Sequence, residues 1–466
     1  MSDRVKMRTV RALESVHDEH VRRAAIKLLA KHPGKAAGQL TRLIKTRPFT
    51  GHERAALVSG ISVVESSLTE RRLVGLLRHE VRQLRSRDSW LSDNIHPAMV
   101  VAASLSKRRL KVSSKTKIAE VLSWLPKRSE KAAVKRRLDG LRCELSAAIG
   151  RLSPLCSDAR KVEVGWKIDE DLDALLRALK DPAPSIRMTA WALLGKTRPQ
   201  RFREVLGQGL GDSDLVVAAN VVDQATILKV PLAAHETSLR TLWERAWKSQ
   251  DIEVLLTLVK SLESLKSPGI RTLLRHAAQS EQYALKRAAS HALGESKSDS
   301  MLPTNTLTKV PNSKVFAPYR SDQLESWRTL LVDTEVGSFE ISFKRAFAPM
   351  TVSKLGRLFA KGFYTGLSFH RVVPNFVVQG GDPRGDGWGG PGESMRCENN
   401  PIDYEAGTVG MALAGKDTGG SQFFVALDTQ PHLLGTYTVF GRVSKGMNVV
   451  RALVPGDKIV STTLIR

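Results

Sequence analysis

Residues 369–382 read FHRVVPNFVVQGGD and combine an arginine and a glutamine with mostly apolar residues and glycine. Valine and phenylalanine at this density are typical of a buried strand. Two interpretations explain the polar side chains. Either they occupy the solvent face of a strand, or the polar and apolar side chains form a binding site together. The remainder of the sequence decides between these interpretations.

On both sides of this stretch, apolar and polar residues alternate as they do in short β-strands. WRTLLVDTEVGSFEISF (327–343) predicts a hairpin around Val336–Gly337, and APMTVSKLGRLFAKGFY (348–364) predicts an amphipathic helix. Further strands are predicted within SFHRVV (368–373), FVVQGG (376–381), GTVGMAL (407–413), SQFFVAL (421–427) and YTVFGRV (437–443), and GMNVVRALV (446–454) predicts a second helix. Many short strands with two helices indicate a closed antiparallel β-barrel capped by helices.

In residues 1–296, apolar residues recur every three or four positions instead, which is the period of an α-helix. The first apolar stripe consists of Leu13, Val16, Val21, Ala24, Ala25, Leu28 and Leu29. ALLRALKDPAPSIRMTAWALLGKTR (174–198) predicts two helices separated at Asp181–Pro182, with the second entered through Ile186 and Arg187, and weaker copies of this block begin at residues 205, 241 and 272. Such repetition is typical of an α-solenoid, and the blocks resemble HEAT-type repeats in pattern. A non-repetitive helical bundle is the alternative that the residues leave open.

The change of period predicts the domain organisation. Residues 1–296 form a HEAT-like helical domain, and residues 327–466 form the barrel domain. The intervening residues 297–326 contain three prolines and no sustained period, which predicts a linker.

The positive charge is concentrated in the helical part. The chain carries a net charge of +25, yet residues 327–466 hold 15 Lys and Arg against 12 Asp and Glu, which leaves 57 against 35 for residues 1–326. This excess favours an acidic partner, for which nucleic acid, an acidic protein and an anionic membrane surface are candidates. The basic run KRSEKAAVKRRLDGLR (127–142) places Lys127, Lys131, Lys135 and Arg136 on one helical stripe. A solvated helix face is the alternative interpretation of that stripe.

Cysteine content and hydropathy predict the compartment. Cys143, Cys156 and Cys397 are odd in number and irregularly spaced, which predicts neither a disulfide framework nor a zinc site. No apolar leader or 18-residue apolar run is present, so we expect neither a signal peptide nor a membrane span. These features favour a cytoplasmic protein.

Three collinear segments carry a family resemblance. They are GFYTGLSFHRVVPNFVVQGGDPRGDGWGG (362–390), GTVGMALAGKDTGGSQFFVAL (407–427) and PHLLGTYTVFGRV (431–443). Together they closely resemble the cyclophilin family of peptidyl-prolyl cis–trans isomerases, over residues 327–466. The GDGWGG run within the first segment also satisfies a dinucleotide-binding pattern, but no helix is predicted after it, and we interpret it as a surface loop.

The chemistry of this family explains the mixture of residues in the opening stretch. Rotation of an X-Pro bond crosses a barrier of about 20 kcal/mol, because amide resonance must be broken. An apolar pocket must hold the proline ring while a fixed cation and amide donors act on the twisted amide, whose nitrogen becomes a hydrogen-bond acceptor. The resemblance implies that no metal, nucleotide or other cofactor is needed.

The resemblance also implies the site residues. Arg371 is the catalytic arginine. The proline pocket is lined by Phe376, Val377, Phe424 and Leu433, the substrate backbone is contacted by Gln379 and Gln422, and the peptide groove runs along Ala412 and Leu413. Strand parity puts Arg371, Val377 and Gln379 on one face, provided that Pro374–Asn375 preserves the register, whereas Phe376 requires a bulge to join them.

Several residues depart from the family's usual pattern. Val377 stands where well-known members have methionine, and Leu413 where asparagine is frequent. His432 replaces a tryptophan and Tyr437 a histidine, and both are assigned to the substrate-binding set. The resemblance implies an isomerase acting on proline-containing client proteins. An interaction protein that holds such peptides without turning them over is the alternative, which an X-Pro isomerisation assay decides.

Overall fold

The computed structural model describes residues 37–294 and 327–466 apart from short gaps, together with residues 9, 10, 13, 22, 24–26, 28 and 29. The gaps are residues 48, 64–66, 88, 109, 128, 130, 152, 154, 157–159, 163–170, 264, 266 and 281. The predicted linker at 297–326 lies outside the described residues, as do Val16 and Val21 of the first predicted stripe. Among the helices described, none combines the length and the apolar character that crossing a bilayer requires.

The helical prediction for the N-terminal part is confirmed. The first group of helices comprises α1 (Ala37–Thr46), α2 (Gly51–Ser62), α3 (Ser67–Arg87), α4 (Ile95–Ser106), α5 (Val112–Trp124) and α6 (Ala132–Ala148). The second group comprises α7 (Leu172–Ala178), α8 (Pro184–Thr197), α9 (Pro199–Leu210), α10 (Leu215–Ile227), α11 (Glu236–Ser249), α12 (Ile252–Leu262), α13 (Pro268–Ala278) and α14 (Tyr283–Ala292).

The block at 174–198 folds as predicted. Helices α7 and α8 flank the break at Asp181–Pro182, and the carboxylate of Asp171 caps α7 by accepting from the backbone N–H of Asp173 and Ala174. Ile186 and Arg187 lie in the first turn of α8 and are buried. The assignment of these helices to HEAT-type repeats stays a prediction.

The helices bury two separate apolar clusters, and each is contacted by a residue from the C-terminal part. The first cluster gathers apolar side chains between Val10 and Ala148 and includes Val454. The second gathers side chains between Leu175 and Leu293, and Trp388 packs against it. The C-terminal part therefore contacts both groups of helices through its own apolar residues.

The C-terminal part is an antiparallel sheet with two helices. Its elements are β1 (Thr329–Thr334), β2 (Gly337–Phe343), α15 (Pro349–Ala360), β3 (Arg371–Val373), β4 (Val377–Gly380), β5 (Thr408–Met411), β6 (Phe423–Ala426), β7 (Val439–Lys445), α16 (Met447–Ala452) and β8 (Ile459–Ile465). The hairpin of β1 and β2 turns at Glu335–Val336. The final strand β8, which pairs with β1, was missing from the sequence-based prediction.

The prediction of a closed barrel is wrong. The described strands form one curled sheet in the order β3-β4-β6-β5-β7-β2-β1-β8, so β3 and β8 are its edges. The segment before β3 meets the start of β8, where Ser368 and Lys458 form an isolated bridge, Phe369 N–H donates to the carbonyl of Asp457 and Ile459 N–H donates to the carbonyl of Leu367. Because β3 has only three residues before the chain turns, no continuous ladder joins it to β8.

The cysteine prediction is also wrong in one respect. Cys143 on α6 and Cys156 form a disulfide with their Cα atoms 5.0 Å apart, within the range that a disulfide spans. The fold brings these two cysteines together although their spacing matches no familiar framework, while Cys397 is free. The cytoplasmic location, which rested in part on the cysteine pattern, stays a prediction.

The predicted cationic stripe is interrupted at Arg136. Lys127, Lys131 and Lys135 are exposed, but the guanidinium of Arg136 pairs with the carboxylates of Glu335 and Asp457 in the C-terminal part. Arg136 is therefore a contact between the two parts of the chain rather than a solvated member of the stripe.

Candidate active site

The opening stretch folds into the short hairpin of β3 and β4. Arg371 pairs with Gln379, and Val373 pairs with Val377, so the register across the hairpin keeps Arg371, Val377 and Gln379 on one face as predicted. The sequence predicts a bulge that would bring Phe376 to the same face. The structure has a turn at this place instead. Asn375 adopts a left-handed backbone with φ of 57°, and the N–H of Phe376 donates to the carbonyl of Val373 at 3.0 Å.

These residues surround a cavity of about 240 Å³. It is lined by Arg371, Phe376, Val377, Gln379, Ala412, Leu413, Phe424, Leu433 and Tyr437. Two further residues of the predicted set lie beside it: Gln422 lines an adjoining cavity, and His432 stacks on Phe376 with ring centroids 5.7 Å apart. The tertiary structure thus brings together residues from β3, β4, β6 and three loops that are far apart in sequence.

The apolar floor of the cavity is a small cluster separate from the main interior of the sheet. Val377, Phe424 and Leu433 are buried in it together with Tyr404. The ring of Phe424 stacks on Tyr404 and meets Tyr437 edge-on, with centroids 5.6 Å apart in both contacts. Rings held on two sides keep a fixed shape, so the floor is preformed for a small apolar ring.

Arg371 lies at the rim, where its guanidinium is exposed and oriented. Nη1 donates to Oε1 of Gln379 at 3.2 Å, and the guanidinium carbon lies 5.6 Å from the centre of the Phe376 ring. Stacking on an aromatic face and a hydrogen bond to an amide hold the planar cation in one direction.

A chain of amides extends from Arg371 to a glycine-rich loop. Nε2 of Gln379 donates to Oε1 of Gln422 at 3.0 Å, and Nε2 of Gln422 donates to the carbonyls of Gly387 and Gly389 at 2.9 and 2.8 Å. Trp388 lies between these two glycines and packs against the second helical cluster. The GDGWGG run is therefore a loop, as predicted, but its tryptophan is packed against the helical part rather than exposed to solvent.

Sequence reasoning missed two contributors to the site. Tyr404 supports Phe424, and its isolated position between loop residues carried no signal. Glu253 on α12 lines the adjoining cavity together with Gln379 and Gln422. Burial, followed by the carboxylates of Asp251, Asp382 and Asp386, raises the pKa of Glu253 to about 8.

Comparisons with known proteins concern the C-terminal part of the chain. Residues 329–463 match the model of the family described as cyclophilin type peptidyl-prolyl cis-trans isomerase/CLD. A peptidyl-prolyl cis-trans isomerase of Synechococcus elongatus is 46% identical over 137 residues, which cover 29% of this chain and 94% of the relative. The chain belongs to the cyclophilin-type peptidyl-prolyl cis–trans isomerase family.

Further relatives are similar over the same residues. Peptidyl-prolyl cis-trans isomerase B of Bacillus subtilis is 54% identical over 112 residues, covering 24% of this chain and 78% of the relative. A crystal structure of a cyclophilin type isomerase of Cryptosporidium parvum, in the presence of the dipeptide Ala-Pro, is 28% identical and covers 30% of this chain and 99% of its own, with a TM-score of 0.28.

The protein is thus a cyclophilin-type isomerase that carries an additional helical part. Residues that depart from the usual pattern lie in the wall of the cavity. Val377 and Leu413 both line it with apolar side chains, and the carbonyl of Gln422, the residue before β6, accepts from the N–H of Ala412 at 3.0 Å.

Proposed function

We propose that the cavity binds the proline ring of a client and that Arg371 is the catalytic residue that stabilises the twisted X-Pro bond. As the bond twists, the prolyl nitrogen regains a lone pair and accepts a hydrogen bond from the guanidinium. The planar amide offers no such lone pair, so this interaction is stronger in the transition state than in the ground state. No bond to the client forms or breaks.

We assign roles to the other groove residues from their positions in the groove. Phe376, Val377, Phe424 and Leu433 hold the ring, while Gln379 and Gln422 donate or accept along the client backbone. Ala412 and Leu413 form the side of the groove, and His432 and Tyr437 complete its rim. The observation that carries the proposal is that one guanidinium and the apolar side chains line the same cavity.

Replacing Arg371 tests this role. Arg371→Ala should lower kcat/KM on X-Pro peptides about 100-fold to 1000-fold, the scale for removal of one preorganised donor. Arg371→Lys keeps the charge but loses the planar fork, so its activity should recover only in part. Arg442→Ala is the matched control, because Arg442 lies on β7 in an exposed pair with Glu405. Near-normal activity of Arg371→Ala with an unchanged circular dichroism spectrum would contradict the assignment.

The helical part is proposed to be a HEAT-like scaffold that orients the isomerase and recruits an acidic partner. Support comes from the charge excess of residues 1–326 and from the exposure of Lys131 and Lys135. With heparin as the probe, binding of the full chain should weaken steeply with salt. The Lys131→Glu/Lys135→Glu variant, which leaves Arg136 in its contact, should show a flatter salt dependence. An unchanged dependence would show that these lysines are a solvated helix face.

A further inference from the structure

A second cavity continues the groove from the proline cavity toward the helical part. It measures about 100 Å³ and shares Gln379, Ala412 and Leu413 with the first cavity. Its other walls come from Ala414, from the isomerase loops at 387–389 and 418–422, and from one helical residue, Glu253. The helical part therefore contributes a side chain directly to the groove of the isomerase.

Helix packing fixes Glu253 in this position. Asp251 caps α12 and accepts from the backbone N–H of Val254 at 3.1 Å, which orders the first turn that carries Glu253. The isomerase loop is held against this turn by two contacts. Trp388 packs against the apolar cluster to which α12 belongs, and Arg384 pairs at 3.4 Å with Asp214, the cap of α10.

The surroundings of Glu253 are acidic. Asp251 caps the same helix, and the carboxylates of Asp382 and Asp386 on the isomerase loop lie near enough to raise the pKa of Glu253 further. The nearby cation Arg384 is already paired with Asp214 and Asp386. In the part of the chain that the structure describes, no cation pairs with the carboxyl of Glu253, although the protein as a whole is strongly basic.

A third cavity extends the groove beyond Glu253. It measures about 320 Å³ and lies between the first turns of α10 and α12 on one side and the loop at 383–394 on the other. Glu253 and Thr418 line both this cavity and the second one. A client chain has room to continue along the junction between the helical part and the isomerase.

We propose that Glu253 is a specificity determinant of the isomerase and that its carboxylate pairs with a lysine or arginine of the client two or three residues from the proline. An extended chain rises about 3.3 Å per residue, so a side chain at that separation reaches the cavity next to the one that holds the proline. A cation there supplies the partner that the partly buried carboxyl lacks. This inference rests on the proposed assignment of the first cavity to the proline ring.

The experiment compares X-Pro peptides that differ in one side chain. Lysine or its uncharged analogue norleucine is placed two or three residues before or after the proline, and kcat/KM is measured with the full chain at pH 8.5. At one of these positions, we expect the native protein to favour lysine over norleucine about tenfold, which corresponds to about 1.4 kcal/mol. Glu253→Gln should reduce that ratio to about one.

Glu263→Gln is the matched control. Glu263 follows the C-terminal end of the same helix and is half-exposed beside His291, so its removal changes the charge of α12 without touching the groove. This variant should keep both the activity and the preference for lysine.

The outcomes separate this inference from the proposed site. Equal lysine preference in the native protein and in Glu253→Gln, or no preference at any position, would overturn the role of Glu253 while turnover of the norleucine peptides still reports on the first cavity. A preference that disappears in Glu253→Gln, persists in Glu263→Gln and weakens with salt supports it. Full activity of Arg371→Ala on the norleucine peptides would instead count against the site itself.

Discussion

The guanidinium of Arg137 on α6 donates a 2.6 Å hydrogen bond to the carboxylate of Asp457, and both side chains are fully buried. The same guanidinium donates to the carbonyls of Trp90 and Ala452 at 2.9 and 2.6 Å. Asp457 also accepts from the backbone N–H of Val454. Through two of these hydrogen bonds, to Ala452 and Asp457, Arg137 joins the helical part to the end of α16 and to the segment before β8.

Breaking this pair should weaken the contact between the two parts of the chain. Arg137→Met leaves the Asp457 carboxylate buried without its closest cation, and the free energy of unfolding should fall by about 3–5 kcal/mol. Urea unfolding of the full chain measures the change. Arg201→Met removes an exposed pair with Glu204 and should cost at most about 1 kcal/mol. Similar costs for both variants would show that the buried pair adds nothing to the contact.

Trp388 should help to position Arg371 although it does not touch it. Its neighbours Gly387 and Gly389 hold Gln422, which orients Gln379 and through it Arg371. Trp388→Ala should therefore lower kcat more than it raises KM, with a several-fold net loss, because Arg371 loses its fixed direction.

Trp247→Ala is the control for that variant. Trp247 packs against the same helical cluster and stacks on Trp243, so its removal should lower stability with little change in kcat. Trp388→Phe should recover part of the activity. Equal kcat values for the two alanine variants would argue against a positioning role for Trp388.

The contact between the two parts should weaken in mild acid. Nε2 of His52 and Nε2 of His96 both lie within hydrogen-bond distance of the carbonyl of Arg451, at 2.6 and 3.0 Å. Burial lowers the pKa of both imidazoles, most strongly for His96, where the neighbouring His52 and Arg137 lower it further. Of the charged groups that face His52, Asp93 acts in the opposite direction.

The direction of this pH dependence follows from the lowered pKa values of the two histidines. A histidine whose pKa is lower in the folded state contributes stability above its ordinary pKa of 6.5, and that stability is lost as the pH falls below 6.5. The Tm of the native protein should therefore fall more steeply from pH 7.5 to pH 5 than that of His52→Gln/His96→Gln. Parallel Tm profiles would show that the pair does not titrate in this range.

Glu253 should have the opposite pH dependence. Its pKa of about 8 lies above the ordinary value of 4.5, so its contribution to stability is complete below 4.5 and is lost as the pH rises toward 8. Glu253→Gln mimics the protonated acid and should raise the Tm by a few degrees at pH 9 while changing it little at pH 4.5. A Tm difference independent of pH would contradict the raised pKa.

The residues that line the candidate site could largely be predicted from the sequence, since the motifs that carry them are collinear and local. Strand parity placed Arg371, Val377 and Gln379 on one face, and the pairing of β3 with β4 confirms it. The helical character of the N-terminal part was equally evident, because an apolar stripe repeating every three to four residues is a local property. Strand β8 and the open edge of the sheet were not predicted from the sequence, because strand pairing depends on partners more than a hundred residues away.

Only the tertiary structure decided how the two parts meet. Nothing local distinguishes Arg137 from the exposed Lys135, yet Arg137 is buried against Asp457, which lies 320 residues further along the chain. Glu253 likewise looks in the sequence like any glutamate in the first turn of a helix. It lines the groove because Trp388 packs against the helical cluster and holds the isomerase loop beside α12. Such contacts are set by which apolar surfaces cover each other, and hydrophobic burial is non-directional. The sequence by itself determined which chemistry the C-terminal part performs, and the packing decided which helical residues line its groove.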